Sequence, residues 1–265
     1  MPKFAANLST MFPELAPAER FRAAAHAGFE AVEFLRPYEI AAEQVRDWLE
    51  ANGLRFLLLN TLGRLSEDDE PGAGIFPGRE AEFREIVEMA IRYSMALGGT
   101  MIHVTAGRVP ERLSREDCER VFIDNLRAVA PLAAAAGLTL LLEPLNVRTA
   151  PGYLHTTTAQ TRRIVEAVGA PNVRLQYDFF HMQIMQGDHV ETLARDLDIV
   201  GHVQFSSVPG RHEPRHGELN LPFLFDYLDR LGYDGWVGCE YGPKGDSWDG
   251  LSWAVPYGFS AERDG

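Results

Sequence analysis

Three acidic side chains stand at or near the ends of apolar runs of strand length. Glu143 lies in LTLLLEPL, Asp178 in VRLQYDF and Glu240 in WVGCEY, and the run GHVQFS offers Gln204 at the matching height. Burying a carboxylate without a partner costs free energy. Because the pattern occurs three times, it indicates that the three acids share one function, although a structural partner at the rim could explain any one of these acids alone.

Carboxylates gathered in a partly dry site repel one another, so one must take up a proton or a cation must lie between them. The oxygen donors of Glu143, Asp178, Gln204 and Glu240 suit a hard divalent ion, Mg²⁺ or Mn²⁺. Such an ion, held by two glutamates, can polarise a carbonyl group and stabilise an enediolate. The four residues are therefore candidate metal ligands.

Other polar residues lie close to these acids along the chain. His181 follows Asp178 by three positions and could bind a substrate oxygen or pair with a neighbour. Arg211 lies in SSVPGRHEPRHGELN beside His212, Arg215 and His216, in a cation cluster that could capture an anionic substrate or be a solvated loop. His103 is interpreted as a mid-strand core histidine.

The elements that must position these residues alternate regularly. Eight apolar runs predict strands at 3–8, 31–35, 55–60, 101–106, 138–145, 173–179, 199–206 and 236–241. Between them, amphipathic patterns that end in glycine predict helices at 17–28, 43–53, 79–98, 115–137, 158–169 and 221–232.

Apolar strands alternating with helices indicate a parallel sheet, and eight units favour a closed (β/α)8 TIM barrel, class α/β, in one domain over 1–265. No GxGxxG follows the first strand and no GxxxxGK[ST] occurs. In such barrels active sites lie where the strands end. The 35-, 26- and 36-residue spacings from 143 to 178, 204 and 240 would bring the four side chains to one rim. The irregular stretch 63–80 is predicted to be an active-site lid.

Composition limits the partners. The net charge of −13 argues against nucleic acids and anionic membranes. Cys118 and Cys239 form no recognisable disulfide framework, and no segment reaches 18 apolar residues. We therefore expect a soluble cytoplasmic protein, with self-association left open.

The segments FAANLSTMF, GFEAVEFLRPY, PGREAEFR, LLLEPLN, QYDFFHMQ, GHVQFSSVPGRHEPRHGELN and GWVGCEY together resemble the hydroxypyruvate isomerase family of the xylose isomerase-like TIM barrels. The resemblance implies an aldose–ketose isomerase that interconverts hydroxypyruvate and tartronate semialdehyde, with or without a metal. It implies that Glu143 and Glu240 are the proton donor and acceptor, and that the partner is a small anionic hydroxy-oxo acid.

The wider superfamily typically binds its metal through Glu, Asp, His and Glu. Here Gln204 replaces the histidine, as in hydroxypyruvate isomerases, which weakens the site for transition metals. Four alternatives stay open: a 2-oxo-tetronate isomerase, a metal-dependent ketose 3-epimerase, an apurinic endonuclease, and a non-catalytic sugar-acid binding module. An endonuclease would need more rim histidines and a basic groove.

Overall fold

A computed structural model describes residues 1–66 and 70–263. Eight parallel strands pair in sequence order, and the eighth pairs with the first to close a barrel. The strands are β1 Lys3–Asn7, β2 Ala31–Glu33, β3 Arg55–Asn60, β4 Met101–His103, β5 Thr139–Leu142, β6 Val173–Asp178, β7 Val200–Phe205 and β8 Trp236–Cys239. The predicted (β/α)8 barrel is confirmed.

Helices surround the barrel. They are α1 Pro17–His26, α2 Ala42–Asn52, α3 Glu80–Ala96, α4 Arg115–Ala135, α5 Thr158–Val168, α6 Phe179–Met185, α7 His189–Asp196, α8 Leu221–Arg230 and α9 Ser247–Gly250. The six predicted helices are all present. As expected for the glycine stops, α2 and α5 end at Gly53 and Gly169, which both have positive φ.

Helices α6, α7 and α9 were not predicted. The apolar run of β6 continues into Phe179 and Phe180, so sequence alone extends the strand to residue 179. In the structure β6 ends at Asp178, because its carboxylate accepts a hydrogen bond from the Phe180 backbone N–H at 2.8 Å. Asp178 is therefore the N-cap of α6 as well as a residue of the rim.

The aromatic side chains of β1, β7, α8 and the C-terminal segment pack together outside the barrel. Phe4, Phe205 and Phe225 meet edge to face with ring centroids 4.9–6.0 Å apart, and Trp253 packs against Phe4 at 5.2 Å. Such contacts stabilise beyond the burial of apolar area. They fasten the chain that follows β8 against the strands that carry Gln204 and Glu240.

Strand register determines the height of the site. Asp178 pairs with Gln204, which in turn pairs with Gly238. Glu143 directly follows the last residue of β5, and Glu240 directly follows the last residue of β8. The predicted residues therefore all lie at the carboxyl ends of the strands, where barrels of this kind carry their active sites.

The predicted irregular stretch 63–80 is partly ordered by backbone contacts, although its residues 67–69 lie outside the described residues. It contains a buried 3₁₀ turn, Ala73–Ile75. Gly72 and Gly107 have positive φ and touch so closely that a Cβ on Gly107 would lie 2.6 Å from the Gly72 Cα. The stretch is thus fastened to the loop after β4; its closure as a lid stays a prediction.

Within the described part of the chain, no helix is both long and apolar enough to cross a membrane.

Candidate active site

Five side chains form a continuous series across the mouth of the barrel. His181 Nε2 lies 3.9 Å from Glu143 Oε1 and 3.6 Å from Asp178 Oδ2. Arg211 Nη2 lies 3.8 Å from Asp178 Oδ2 and 2.8 Å from Glu240 Oε1. Glu143 and Glu240 therefore lie at the same mouth of the barrel, with His181, Asp178 and Arg211 between them.

The three carboxyl groups share a buried and mutually repulsive environment. Burial, followed by the charges of Glu240 and Asp178, raises the pKa of Glu143 well above its ordinary value. Burial raises the pKa of Glu240 to about 7 and that of Asp178 to about 6, and in both cases Arg211 opposes the rise. Near neutral pH the site therefore retains protons unless a further cation enters it.

The hydrogen bonds of His181 determine its tautomer. Its Nδ1 accepts from the Asn146 backbone N–H at 3.0 Å, and burial holds the pKa of the ring well below its usual range. A neutral ring that accepts at Nδ1 carries its proton on Nε2, which points toward Glu143 and Asp178. His181 can therefore donate a hydrogen bond into the site.

Asn146 is held in turn by its own loop. Its side-chain oxygen accepts from the backbone N–H groups of Arg148 and Thr149, at 3.0 and 2.9 Å. Its side-chain nitrogen is thereby directed at His181 Nδ1, at 2.8 Å. Sequence reasoning missed this role, although an asparagine that begins a loop is a recognisable signal for such a turn.

Arg211 has an unusual conformation that directs its side chain inward. Its φ is +55°, and its guanidinium stacks over the Phe180 ring at 4.9 Å. The other residues of the predicted cation cluster lie away from the rim carboxylates. His212 forms a hydrogen bond with the Gly242 carbonyl, and His216 lies 3.4 Å from Glu213. Arg215 is exposed. Of the predicted cation cluster, Arg211 alone contacts the rim carboxylates.

Gln204 lies within the barrel and is held by two other side chains. Its Nε2 donates to Glu33 Oε2 at 2.7 Å, and its Oε1 accepts from Gln176 Nε2 at 2.5 Å. Asn7 and His202 also contact the Glu33 carboxylate, at 3.0 and 2.5 Å. The amide oxygen of Gln204 is thus turned away from Glu33 and keeps a second lone pair for another partner.

His103 corrects one sequence interpretation. It is the last residue of β4 rather than a mid-strand residue, because the strand is only three residues long. Its Nδ1 lies 3.4 Å from Glu143 Oε2, and neither ring nitrogen has a hydrogen-bond partner among the residues that the structure describes. Burial, with a smaller contribution from Arg36, lowers its pKa to about 3, so the ring is neutral beside Glu143.

A family model described as "Xylose isomerase-like TIM barrel" matches residues 21–255. The chain belongs to this family. The 2-oxo-tetronate isomerase of Cupriavidus necator is 47% identical over 97% of this chain and 99% of its own length. The hydroxypyruvate isomerase of Escherichia coli is 39% identical over 97% of this chain and 100% of its own. The predicted resemblance to the hydroxypyruvate isomerase family is confirmed.

A solved structure agrees with the fold. The crystal structure named AP endonuclease, family 2, from Brucella melitensis superposes with a TM-score of 0.92 at 45% identity, covering 97% of this chain and 99% of that one. The barrel of this xylose isomerase-like protein is therefore shared along nearly the whole of both chains.

The rim of this xylose isomerase-like barrel fits a hard cation. Among the described residues, one group of three acidic or histidine side chains has ligand atoms within 4.8 Å of one another: Glu143, Asp178 and His181. Glu143 Oε1 and Asp178 Oδ2 are buried and accept no hydrogen bond from the described chain. His181 Nε2 carries a proton in the observed hydrogen-bond pattern and therefore cannot ligate a metal. The remaining ligand atoms are carboxylate oxygens, which suit Mg²⁺ or Mn²⁺.

Proposed function

We propose that this isomerase interconverts hydroxypyruvate and tartronate semialdehyde, with Glu143 and Glu240 as the proton-transferring pair. The observation that carries the proposal is that two buried carboxyl groups meet at one rim, with Arg211 bonded to only one of them. Two acids in different environments can divide the roles of general acid and general base.

The reaction moves hydrogen between neighbouring carbons and needs no external oxidant. A base removes a proton from C3 of hydroxypyruvate, and the electron pair forms the C2–C3 double bond of an enediol. An acid then delivers a proton to C2, while the hydroxyl proton of O3 is lost and O2 gains one. The hydroxymethyl carbon thereby becomes the aldehyde, and the ketone becomes a secondary alcohol.

The environments favour one assignment of the two acids. Arg211 donates to Glu240 at 2.8 Å and stabilises its carboxylate, so Glu240 is the base that takes the C3 proton. Without an ion, burial and then the neighbouring acids raise the pKa of Glu143, so it is protonated and can supply the proton to C2. His181 donates through Nε2 to a substrate oxygen and helps to hold the enediol.

Glu143, Asp178 and Glu240, with the amide oxygen of Gln204, would hold the divalent ion. Mg²⁺ or Mn²⁺, when bound there, would supply positive charge next to the developing enediolate. Removal of the ion by a chelator is expected to lower activity, and the neutral amide of Gln204 should bind a transition metal more weakly than a histidine in its place would.

The second candidate substrate is a 2-oxo-tetronate, which is one carbon longer. The high identity with the relative from Cupriavidus necator supports it, as does a cavity of about 700 Å³ beside the rim that leaves room for a longer acid. A ketose 3-epimerase would act on neutral sugars, which do not need the three arginines that line this cavity, Arg36, Arg64 and Arg108. The net charge of −13 is unfavourable for an endonuclease.

The proposal is tested by activity assays on hydroxypyruvate, 2-oxo-tetronate and free ketoses, each with and without EDTA. In D₂O we expect deuterium on C2 of the product. Glu143→Gln and Glu240→Gln should each lower kcat by about 10²–10⁴-fold, the usual contribution of a general acid or base. Near-native turnover by either folded variant would exclude the two-acid mechanism, and deuterium exchange without isomerisation would point to another substrate.

The cytoplasmic location and any self-association stay predictions of the sequence. Gel filtration of the purified chain measures the second directly.

A further inference from the structure

A cavity of about 700 Å³ opens at the carboxyl ends of four consecutive strands. It is bounded by the loops that follow β2, β3, β4 and β5, and each of the first three loops contributes an arginine: Arg36, Arg64 and Arg108. Neither the acids nor the histidines of the rim require three arginines on this side. The cavity is therefore a separate feature that needs its own explanation.

The cavity adjoins the reacting pair of residues. Thr105 and Leu145 line it, and they stand two positions beyond His103 and Glu143. Tyr153 lines it as well, and after burial the charge of Glu143 helps to raise the pKa of its hydroxyl. A molecule that lies against Glu143 can therefore extend into the cavity.

Two of the arginines on this wall, Arg36 and Arg108, are available to an anion. The side chains of Arg36 and Arg108 are exposed and form no hydrogen bond or ion pair with any described residue. The acid that lines the cavity, Glu70, is paired with Arg112 at 2.7 Å. Among the described residues that line it, the wall therefore keeps an excess of positive charge in a protein that is acidic as a whole.

Arg211, on the other side of the rim, already has carboxylate partners. Its guanidinium already donates to Glu240 and faces Asp178, so its charge offsets these two carboxylates. Arg211 is therefore already engaged with carboxylates of the protein when the carboxylate of a substrate enters.

We propose that the cavity binds the carboxylate end of the 2-oxo acid substrate, through Arg36 and Arg108. This inference rests on the proposed function and adds to it the residues that select an acid over a neutral sugar. Guanidinium groups recognise carboxylates through paired N–H donors. The carboxylate end extends away from the rim acids, while the hydroxy-ketone end lies between Glu143 and Glu240.

The backbone keeps the wall in place. Arg108 forms an isolated antiparallel bridge with Tyr153, which links the loops after β4 and β5. The close contact of Gly72 with Gly107 joins the loops after β3 and β4. Arg108 is therefore carried by a loop that is fastened on both sides.

The experiment compares Arg36→Met and Arg108→Met with the wild type. Methionine keeps much of the unbranched apolar length and removes the charge. Each substitution should raise KM for the 2-oxo acid by about ten-fold or more and affect kcat less, because the lost charge binds the carboxylate and not the reacting carbons. Added KCl should raise the wild-type KM more steeply than that of the variants, because salt screens exposed charges.

The matched control is Arg84→Met. Arg84 lies on α3, half-exposed, and pairs with Glu88 at 2.8 Å, away from the cavity. Arg84→Met should have the wild-type KM. The comparison then shows whether KM responds to the loss of any positive charge or only to its loss at the cavity.

Calorimetric titration with D-glycerate, a carboxylate that lacks the reacting ketone, separates this inference from the proposed function. If the wild type binds glycerate and both cavity variants bind it at least ten-fold more weakly, the site stands even if no 2-oxo acid is turned over. If the wild type isomerises a 2-oxo acid while both variants keep its KM and its affinity for glycerate, the cavity does not bind the carboxylate and the inference is wrong.

Discussion

Arg211 distinguishes two glutamates that otherwise share one environment. Both carboxyl groups are buried at the same rim, and each has acidic neighbours that raise its pKa. Only Glu240 receives a hydrogen bond from Arg211, at 2.8 Å. The difference in proton affinity that a two-acid mechanism needs therefore depends on one guanidinium group.

Arg211→Gln should move the acidic limb of the pH–kcat profile to higher pH. Arg211 lowers the pKa of Glu240, so its loss raises that pKa and leaves less Glu240 ionised at neutral pH. Activity near pH 7 should fall, with partial recovery as the pH is raised. The profile is measured with saturating substrate.

Arg215→Gln is the matched control, because Arg215 lies on the same loop, also has a positive φ, and is exposed. Its profile should coincide with that of the wild type. An unshifted acidic limb in Arg211→Gln, at any level of activity, would contradict the role of Arg211 in setting the pKa of Glu240.

The single residues show what sequence can and cannot predict. Glu143, Asp178 and Glu240 stand out because each interrupts an apolar run. Glu33 interrupts AVEFL in the same way, but its contacts with Gln204 and His202 depend on how the strands close into a barrel and do not follow from the sequence. Arg36 and Arg108 carry no such signal, because the paths of their loops determine that they line one cavity, and loop paths do not follow from hydrophobic periodicity.

At the scale of elements, β2 and β8 meet at a glycine inside the barrel. Glu33 extends its carboxylate from β2 toward Gly238 on β8, and a Cβ built on Gly238 would lie 2.2 Å from Glu33 Oε1. The same carboxylate orients Gln204 on β7 at 2.7 Å. Because Gly238 has no side chain, β8 leaves room for the Glu33 carboxylate. This carboxylate orients Gln204, the candidate metal ligand on β7.

Gly238→Ala should destabilise the barrel by about 1–3 kcal/mol, the usual cost of overpacking a core. The added methyl group must displace the Glu33 carboxylate, which disturbs its bonds to Gln204 and His202. The free energy of unfolding is measured with urea, and Mg²⁺ affinity is measured by calorimetry on the same samples; we expect it to weaken as well.

Gly245→Ala is the control, because no atom lies within 4 Å of its built Cβ and its φ is not positive. It should be close to neutral in both measurements. Equal stability of the two variants would show that Glu33 can move away from β8 without cost.

Element boundaries follow from sequence where a local signal exists. The glycines that end α2 and α5 allowed both ends to be predicted, because a left-handed cap favours glycine. The start of α6 could not be predicted, because Phe179 and Phe180 continue the apolar pattern of β6. The side chain of Asp178 decides that boundary, by a hydrogen bond that appears only in the folded chain.

At the scale of the whole molecule, buried ionisable groups of opposite kinds oppose each other in the pH dependence of stability. Burial lowers the pKa of His103 and of His155 to about 3, so protonation of these rings destabilises the fold as the pH falls below 6.5. Burial raises the pKa of Glu240 to about 7, which has the opposite effect. The pH dependence of the unfolding free energy of one protein contains both contributions. Subtracting it from that of a variant that lacks one ionisable group leaves the contribution that depends on this group.

Glu240→Gln removes the carboxyl contribution of Glu240, together with the part of the raised Glu143 pKa that comes from its charge, in EDTA-treated protein. Glu240 has an ordinary pKa of 4.5 and a folded pKa of about 7, so between these values the folded chain binds more protons than the unfolded chain. Its stabilisation is complete below pH 4.5 and is lost as the pH rises to 7. The unfolding free energy of the variant relative to the wild type should therefore increase by on the order of 3 kcal/mol from pH 4.5 to 8, measured with urea. The histidine contributions cancel in this difference, and Glu39→Gln is the control for the loss of one exposed carboxylate. A difference for Glu240→Gln that does not change with pH would mean that burial does not raise the pKa of Glu240, and the general base would then need another origin for its proton affinity.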